Sequence, residues 1–168
     1  MITGDKVMDE NLARWIFASV AKHFSTVASG LSLPYFVEGI DERDDTTQRV
    51  DHVECRVTGP SIKEVSRNWY KVEVGINFLM TKQMAIAGAD AYDIVRWTGT
   101  FANAMLEPVP VYKYGPGTGD DKSLIGCLVI KKDRAEAVKI WHFGQISMED
   151  RIKQSEVDAL YGMELTSI

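Results

Sequence analysis

Trp69-Tyr70-Lys71-Val72-Glu73-Val74-Gly75-Ile76-Asn77-Phe78-Leu79-Met80 is the stretch whose reading decides the fold. Tyr70, Val72, Val74, Ile76, Phe78 and Met80 alternate with Lys71, Glu73, Gly75, Asn77 and Leu79. Successive side chains of a strand point to opposite faces, so this pattern predicts a strand over Asn68–Met80 with one apolar face. It is longer than the usual strand of about 5–6 residues, which suggests a sheet that bends or runs past the body of the domain. The more polar face is expected to be wet or to meet another chain by polar contacts.

Working outward, residues 8–28 read as an amphipathic helix. Leu12, Trp15, Ile16, Val20, Phe24 and Val27 form its stripe, Asp9 is its expected N-cap, and Gly30 is expected to end it in a left-handed conformation. Trp15, Phe17 and Phe24 make this helix apolar over more than one face, as a helix that also meets a neighbouring subunit would be. Pro34 opens the extended segment Tyr35–Ile40. A strand is expected from Val50 to Thr58, with Gly59-Pro60-Ser61 as a turn. A second helix covers about 90–106, with Asp90 as cap and Ile94, Val95, Thr98, Phe101 and Met105 on its buried side. Pro108 and Pro110 place Val109–Tyr114 at a sheet edge. Leu124–Lys131 and Ala137–Ile146 follow as strands, and Leu160–Thr166 as the last one after polar Glu149–Glu156. The order is α-β-β-β-α-β-β-β-β. It predicts an α+β fold, one domain over 1–168, with two helices packed on a mainly antiparallel sheet.

Composition bounds the rest. The chain has 168 residues, 45% hydrophobic and 26% charged, an ordinary globular balance. Its net charge of −5 and scattered basic residues argue against a dedicated nucleic-acid binder, which needs a basic face for phosphates. No apolar run approaches the roughly 18 residues of a membrane span, and Met1–Lys6 lacks a signal peptide's basic flank, so a reducing cytoplasm is the expected folding compartment. Cys55 and Cys127 lie in apolar strand-like runs and are expected to be buried free thiols rather than a disulfide.

Motifs for chemistry are missing. The Gly115–Gly119 loop has no Gly-Lys-Ser/Thr ending and no following helix, and Asp120 and Asp121 would repel a phosphate. His52 beside Asp51 and Glu54 resembles the start of a metal site, but zinc needs three or four ligands. His23 has no partner at helical spacing, and His142 between Trp141 and Phe143 reads as a histidine in or beside the core. No Gly-x-Ser-x-Gly is present. The carboxylates of the 41–54 loop lack the apolar setting that raises a catalytic pKa. Trp69, Trp97 and Trp141 read as packing residues. No catalytic, cofactor or metal residue is assigned, and the chain is expected not to be an enzyme.

The segments Trp69–Leu79 and Tyr161-Gly162-Met163-Glu164-Leu165-Thr166, set in this order of elements, resemble the tail terminator and tail-completion (neck) proteins of tailed bacteriophages. The resemblance implies an α+β subunit of a homo-oligomeric, hexameric ring that caps the tail tube, stops its polymerisation and faces the head connector. It implies a virion component assembled in the host cytoplasm, with itself, tail tube and connector as partners. DNA would pass the lumen without sequence-specific binding, and no membrane or cofactor is involved. The 35–58 region and the 107–146 hairpins are longer than that family needs.

On this reading Trp15, Trp69, Tyr70, Val109 and Val111 are the expected interface residues, with the long strand and the 108–114 edge joining subunits by strand addition. Asp41, Glu42, Asp44 and Asp45, or Asp120 and Asp121, are expected to face the lumen or the next ring. Three alternatives remain: a tail-tube-like protein; a small cytoplasmic α+β enzyme or ligand-binding module around Asp51, His52 and His142; and an adaptor for one protein partner.

Overall fold

The alternating stretch becomes β3 (Trp69–Gln83), fifteen residues long, with Tyr70, Val72, Val74, Ile76, Phe78 and Met80 all buried. The computed structural model describes residues 10–41, 51–84, 92–115, 122–133, 136–147 and 151–166. Around β3 lie α1 (Leu12–Gly30), β1 (Tyr35–Val37), β2 (His52–Ser66), α2 (Asp93–Met105), β4 (Val109–Tyr114), β5 (Lys122–Ile130), β6 (Lys139–Ser147) and β7 (Ile152–Thr166). The fold is α+β in the expected order. The strands run β1-β2-β3-β7-β5-β4, with β6 also on β7. Among the described residues only β1–β2 is parallel; the other pairs are antiparallel.

β7 is the second axis of the sheet. It pairs with β3 in unbroken register from Trp69↔Thr166 to Gln83↔Ile152. Its other edge is divided: β6 covers Ile152–Asp158, while β5 takes only Tyr161 and Gly162 before leaving with β4. The inner face of β7 repeats the β3 pattern, with Val157, Ala159, Tyr161, Met163 and Leu165 buried. The polar stretch 149–156 was expected to precede the last strand, yet β7 begins within it. Cross-strand pairing to β3 supplies what local propensity lacks there.

Both helices cover this inner face. α1 buries Leu12, Trp15, Ile16, Val20 and Phe24, and α2 buries Ile94, Trp97, Phe101 and Met105. Phe78 sits between them, its ring centroid 4.6 Å from Phe24 and 4.8 Å from Phe101. The Tyr161 hydroxyl donates to the Met105 carbonyl at 2.6 Å, so β7 satisfies an orphan acceptor in the last turn of α2. Desolvation holds this phenol well above its usual pKa.

Four local expectations need correction. Gly59-Pro60-Ser61 is not a turn: β2 runs through it, and the pairing to β3 shifts between Thr58 and Ser61. Gly59 has φ 98°, and a Cβ there would stand 3.1 Å from the Glu73 carbonyl oxygen, so the glycine admits a bulge where it suggested a reversal. The reversal comes later, at Asn68 with φ 64°. α1 ends at Gly30, but the left-handed residue is Ser32 (φ 55°). The expected caps Asp9 and Asp90 lie outside the described residues, and Asn11 and Tyr92 occupy the cap positions without a side-chain bond.

Phe78→Ala removes the ring that joins both helices to the sheet, and should cost about 3–5 kcal/mol of unfolding free energy. Urea denaturation followed by circular dichroism checks this; a loss below about 1 kcal/mol would show that the helices do not depend on that contact.

Candidate functional site

Four of the five side chains expected at a subunit interface belong to the chain's own interior. Trp15 is 3% exposed, Tyr70 8%, and Val109 and Val111 0%. The Trp15 ring is further covered by the Lys113 ammonium, 5.3 Å from its centroid. An apolar stripe predicts burial; it does not say whether a subunit or the chain itself provides the cover. Trp69 alone is half-buried, on the outer face of the sheet with Lys71 Nζ 6.0 Å from its ring.

The acidic residues fall differently again. Asp41 accepts the Val37 N–H through Oδ2 at 2.6 Å, closing a turn behind β1. Glu42, Asp44, Asp45, Asp120 and Asp121 lie outside the described residues.

Strand addition is also corrected. β3 lies between β2 and β7, so both its edges are occupied. β4 does end the sheet, but Pro110 has no N–H and the Tyr112 N–H already donates to Ser19 Oγ at 2.9 Å. At the opposite end β1 is three residues long, and Asp41 takes its Val37 donor. These are devices that blunt sheet edges.

β6 is different: the strand was expected over Ala137–Ile146, but its exposed apolar side chains were not. Among the described residues it pairs only with β7. Ile140, Trp141, Phe143 and Ile146 are 47%, 51%, 50% and 52% exposed. The ladder shifts between His142 and Gly144 and again between Gln145 and Ser147, so Phe143 and Ile146 are the extra residues of two bulges. A bulge leaves its extra residue unpaired and re-aims side chains, which explains why apolar residues emerge without alternation. It also makes β6 a poor ladder template, so the surface offers side chains. His142, expected in or beside the core, is exposed, with Nδ1 3.0 Å from Ser155 Oγ. That hydroxyl also lies 2.8 Å from Thr98 Oγ1 and 3.1 Å from the Trp141 carbonyl, tying β6 to α2. Trp141, read as packing, is half in solvent.

The residues considered for a ligand module do not converge. His52 lies on the outer face, edge-on to Phe36 at 5.7 Å, while His142 shares the inner face with Ser155. Asp51 turns to Lys82 Nζ at 3.0 Å and the Gln83 N–H at 2.9 Å. Among the described residues no three ligating side chains gather for a metal, and no helix is long and apolar enough to cross a membrane.

One groove of about 410 Å³ crosses the outer face over Gly162, between Lys71 and Glu73 of β3 and Cys127 and Val129 of β5. Its charges answer one another: Lys131 pairs with Glu73 and, at 3.9 Å, with Asp133, and Lys71 lies 3.9 Å from Glu164. Both cysteines are free, as expected, but Cys127 is exposed in this groove and only Cys55 is buried. Burial pushes the Cys55 thiol up to about 11, opposed by a hydrogen bond with Tyr35.

No protein-family model matches the sequence, and no curated protein does. Among solved structures, a chain from the virion of a native gene transfer agent particle is similar. It covers 93% of this chain and 99% of its own, with 10% identity and a TM-score of 0.46. A second solved chain covers 96% and 98%, with 13% identity and a TM-score of 0.47. Likeness at this level carries no conclusion about role.

The two thiols should separate cleanly. In native protein at pH 7–8, Cys127 should be alkylated as fast as a free cysteine, while Cys55 stays unmodified until denaturant is added. Peptide mass spectrometry reads this directly, and equal rates at both would contradict the burial of Cys55.

Proposed function

We propose that this chain is a structural subunit of a tailed-phage-type virion, closing with copies of itself into a ring at the end of the tail and joining tail tube to head connector. The observation that carries the reading is the β6 surface. Four large apolar side chains stand half-exposed on one strand of a chain whose other sheet edges are blunted. Large apolar side chains exposed together on one strand mark an interaction site, since leaving them wet invites aggregation.

The magnitude suits reversible assembly. Fully burying such a side chain contributes about 1.5–3 kcal/mol, so covering the remaining half of four contributes roughly 3–6 kcal/mol. Association costs a comparable amount, so one such contact is weak and a closed ring of several is stable. The resemblance of Trp69–Leu79 and Tyr161–Thr166 to tail terminator proteins points to the same kind of assembly. The net charge of −5 suits a lumen through which DNA passes without adhering. The pairing of the outer groove's ionic groups with each other supports a structural rather than a catalytic role.

Light scattering on the purified chain at micromolar concentration, with negative-stain imaging, tests this. The expected result is a closed ring of about six subunits. Stacked rings forming a tube would favour a tail-tube subunit instead. A Trp141→Ser/Phe143→Ser double variant should remain monomeric with an unchanged circular dichroism spectrum, since neither side chain is in the core. A wild-type chain that stays monomeric with and without tail-tube partners would overturn the ring.

A further inference from the structure

α2 buries one side against the sheet and carries a second apolar stripe on the side that faces solvent. Tyr92, Val95 and Leu106 are 83%, 49% and 54% exposed, although Val95 was expected on the buried side. With exposed Gly99 and half-buried Ala102 they fall within about 80° of the helix circumference, so the five residues share one face. Ile94, Trp97, Phe101 and Met105 occupy the core side. Arg96 and Asn103 line one flank of the stripe. Glu107, in the turn that closes on the Ala104 carbonyl, continues that flank.

Gly99 sits at the middle of the stripe. A Cβ added there would meet nothing within 4 Å, so no packing inside the chain asks for glycine. Glycine in a helix interior is destabilising relative to alanine. What it permits is the close approach of a second backbone.

The two ends of the helix point to which backbone. At the N-terminal end Tyr92 is the cap residue, and its side chain makes no cap hydrogen bond. At the other end the Glu107 carboxylate stands beside the negative pole of the helix, and among the described residues it forms no ion pair. Arg96, one turn in, has Asp93 at 3.6 Å, and Asp93 also lies 3.6 Å from Lys82 Nζ. A second α2 laid antiparallel brings Glu107 beside the first turn and Arg96 of the other copy, where a carboxylate is favoured. The stripe suits that order. Tyr92 and Leu106 each lie seven residues from Gly99, with Val95 four before it and Ala102 three after. It reads nearly the same from either end, as an isologous two-fold contact requires.

We infer that α2 pairs antiparallel with α2 of a second copy about a two-fold axis at Gly99, setting Tyr92 against Leu106, Val95 against Ala102 and Arg96 against Glu107. The charged groups facing the contact are Asp93, Arg96 and Glu107 of each copy, and Asp93 keeps Lys82. This contact is separate from the ring reading, which uses β6. Two helices touching along one stripe bury less than a standard interface, so the pair is weak, with a dissociation constant on the order of 0.1 mM.

Sedimentation equilibrium on the full chain carrying Trp141→Ser/Phe143→Ser tests it with the β6 contact removed. This chain should be monomeric at micromolar concentration and mostly dimeric near about 1 mM. Adding Gly99→Gln should raise the melting temperature of the monomer, since glutamine is the better helix former, yet raise the dissociation constant about tenfold or more. Val95→Ser/Leu106→Ser should weaken pairing at any salt concentration. Glu107→Arg should weaken it at low salt by setting like charges face to face, and Arg96→Glu/Glu107→Arg should restore it. A chain that stays monomeric to about 1 mM overturns the α2 contact and leaves the ring reading standing. A dimer indifferent to Gly99→Gln overturns it as well, because the copies then meet elsewhere. A dimer that Glu107→Arg weakens and the double charge reversal fails to restore overturns the antiparallel order.

Discussion

β3 and β7 pair across fifteen residues without a register shift, and the rest of the molecule is arranged against that ladder. From Tyr70 to Met80 on β3 and from Val157 to Leu165 on β7, every second residue is apolar and faces the same side. A slip of one residue would turn the whole set toward solvent, so the pairing is strongly specified. α1 and α2 both settle on the face this creates, and Phe78 near its middle touches a ring from each helix. β2 completes the ladder on one side. On the other, β5 and β6 divide the remaining edge of β7, and this division lets β6 stand apart from the β4–β5 pair.

Buried polar groups follow the same ladder. Lys82, 6% exposed, is held by Asp51 at 3.0 Å and Asp93 at 3.6 Å, with its ammonium 5.0 Å from the Trp97 ring. A cation so deep needs this many partners, because a lone buried charge costs several kcal/mol. The site joins β3, the start of α2 and the approach to β2. It fastens the end of the ladder opposite the hairpin tip. One end of the molecule is therefore tied by charge, while the other extends into solvent.

Much of the architecture was legible from periodicity. Both helices, the β3 strand, the terminal tyrosine strand and the order of elements follow from spacing along the chain. The errors fall where local and non-local forces compete. Gly59-Pro60-Ser61 carries turn chemistry, yet the ladder to β3 continues past it by a bulge. The stretch from Ile152 to Glu156 is polar, yet β3 on one side and β6 on the other make it strand. The candidate interface was less legible still. Trp15 was expected to meet another subunit because its helix is apolar over more than one face, and Val109 and Val111 because Pro108 and Pro110 place them at a sheet edge; the chain's own helices and strands bury all three. Trp141 was expected to pack inside, and it stands half in solvent.

What the amino-acid sequence determined by itself is periodicity: which residues share a face, which turns are permitted, and that no short motif for catalysis is present. Those properties belong to successive residues and to backbone sterics. Which of the apolar faces would find cover within the chain was decided only by tertiary structure. Exposure depends on what arrives from distant parts of the chain, and at the two bulges on β6 Phe143 and Ile146 stand half in solvent.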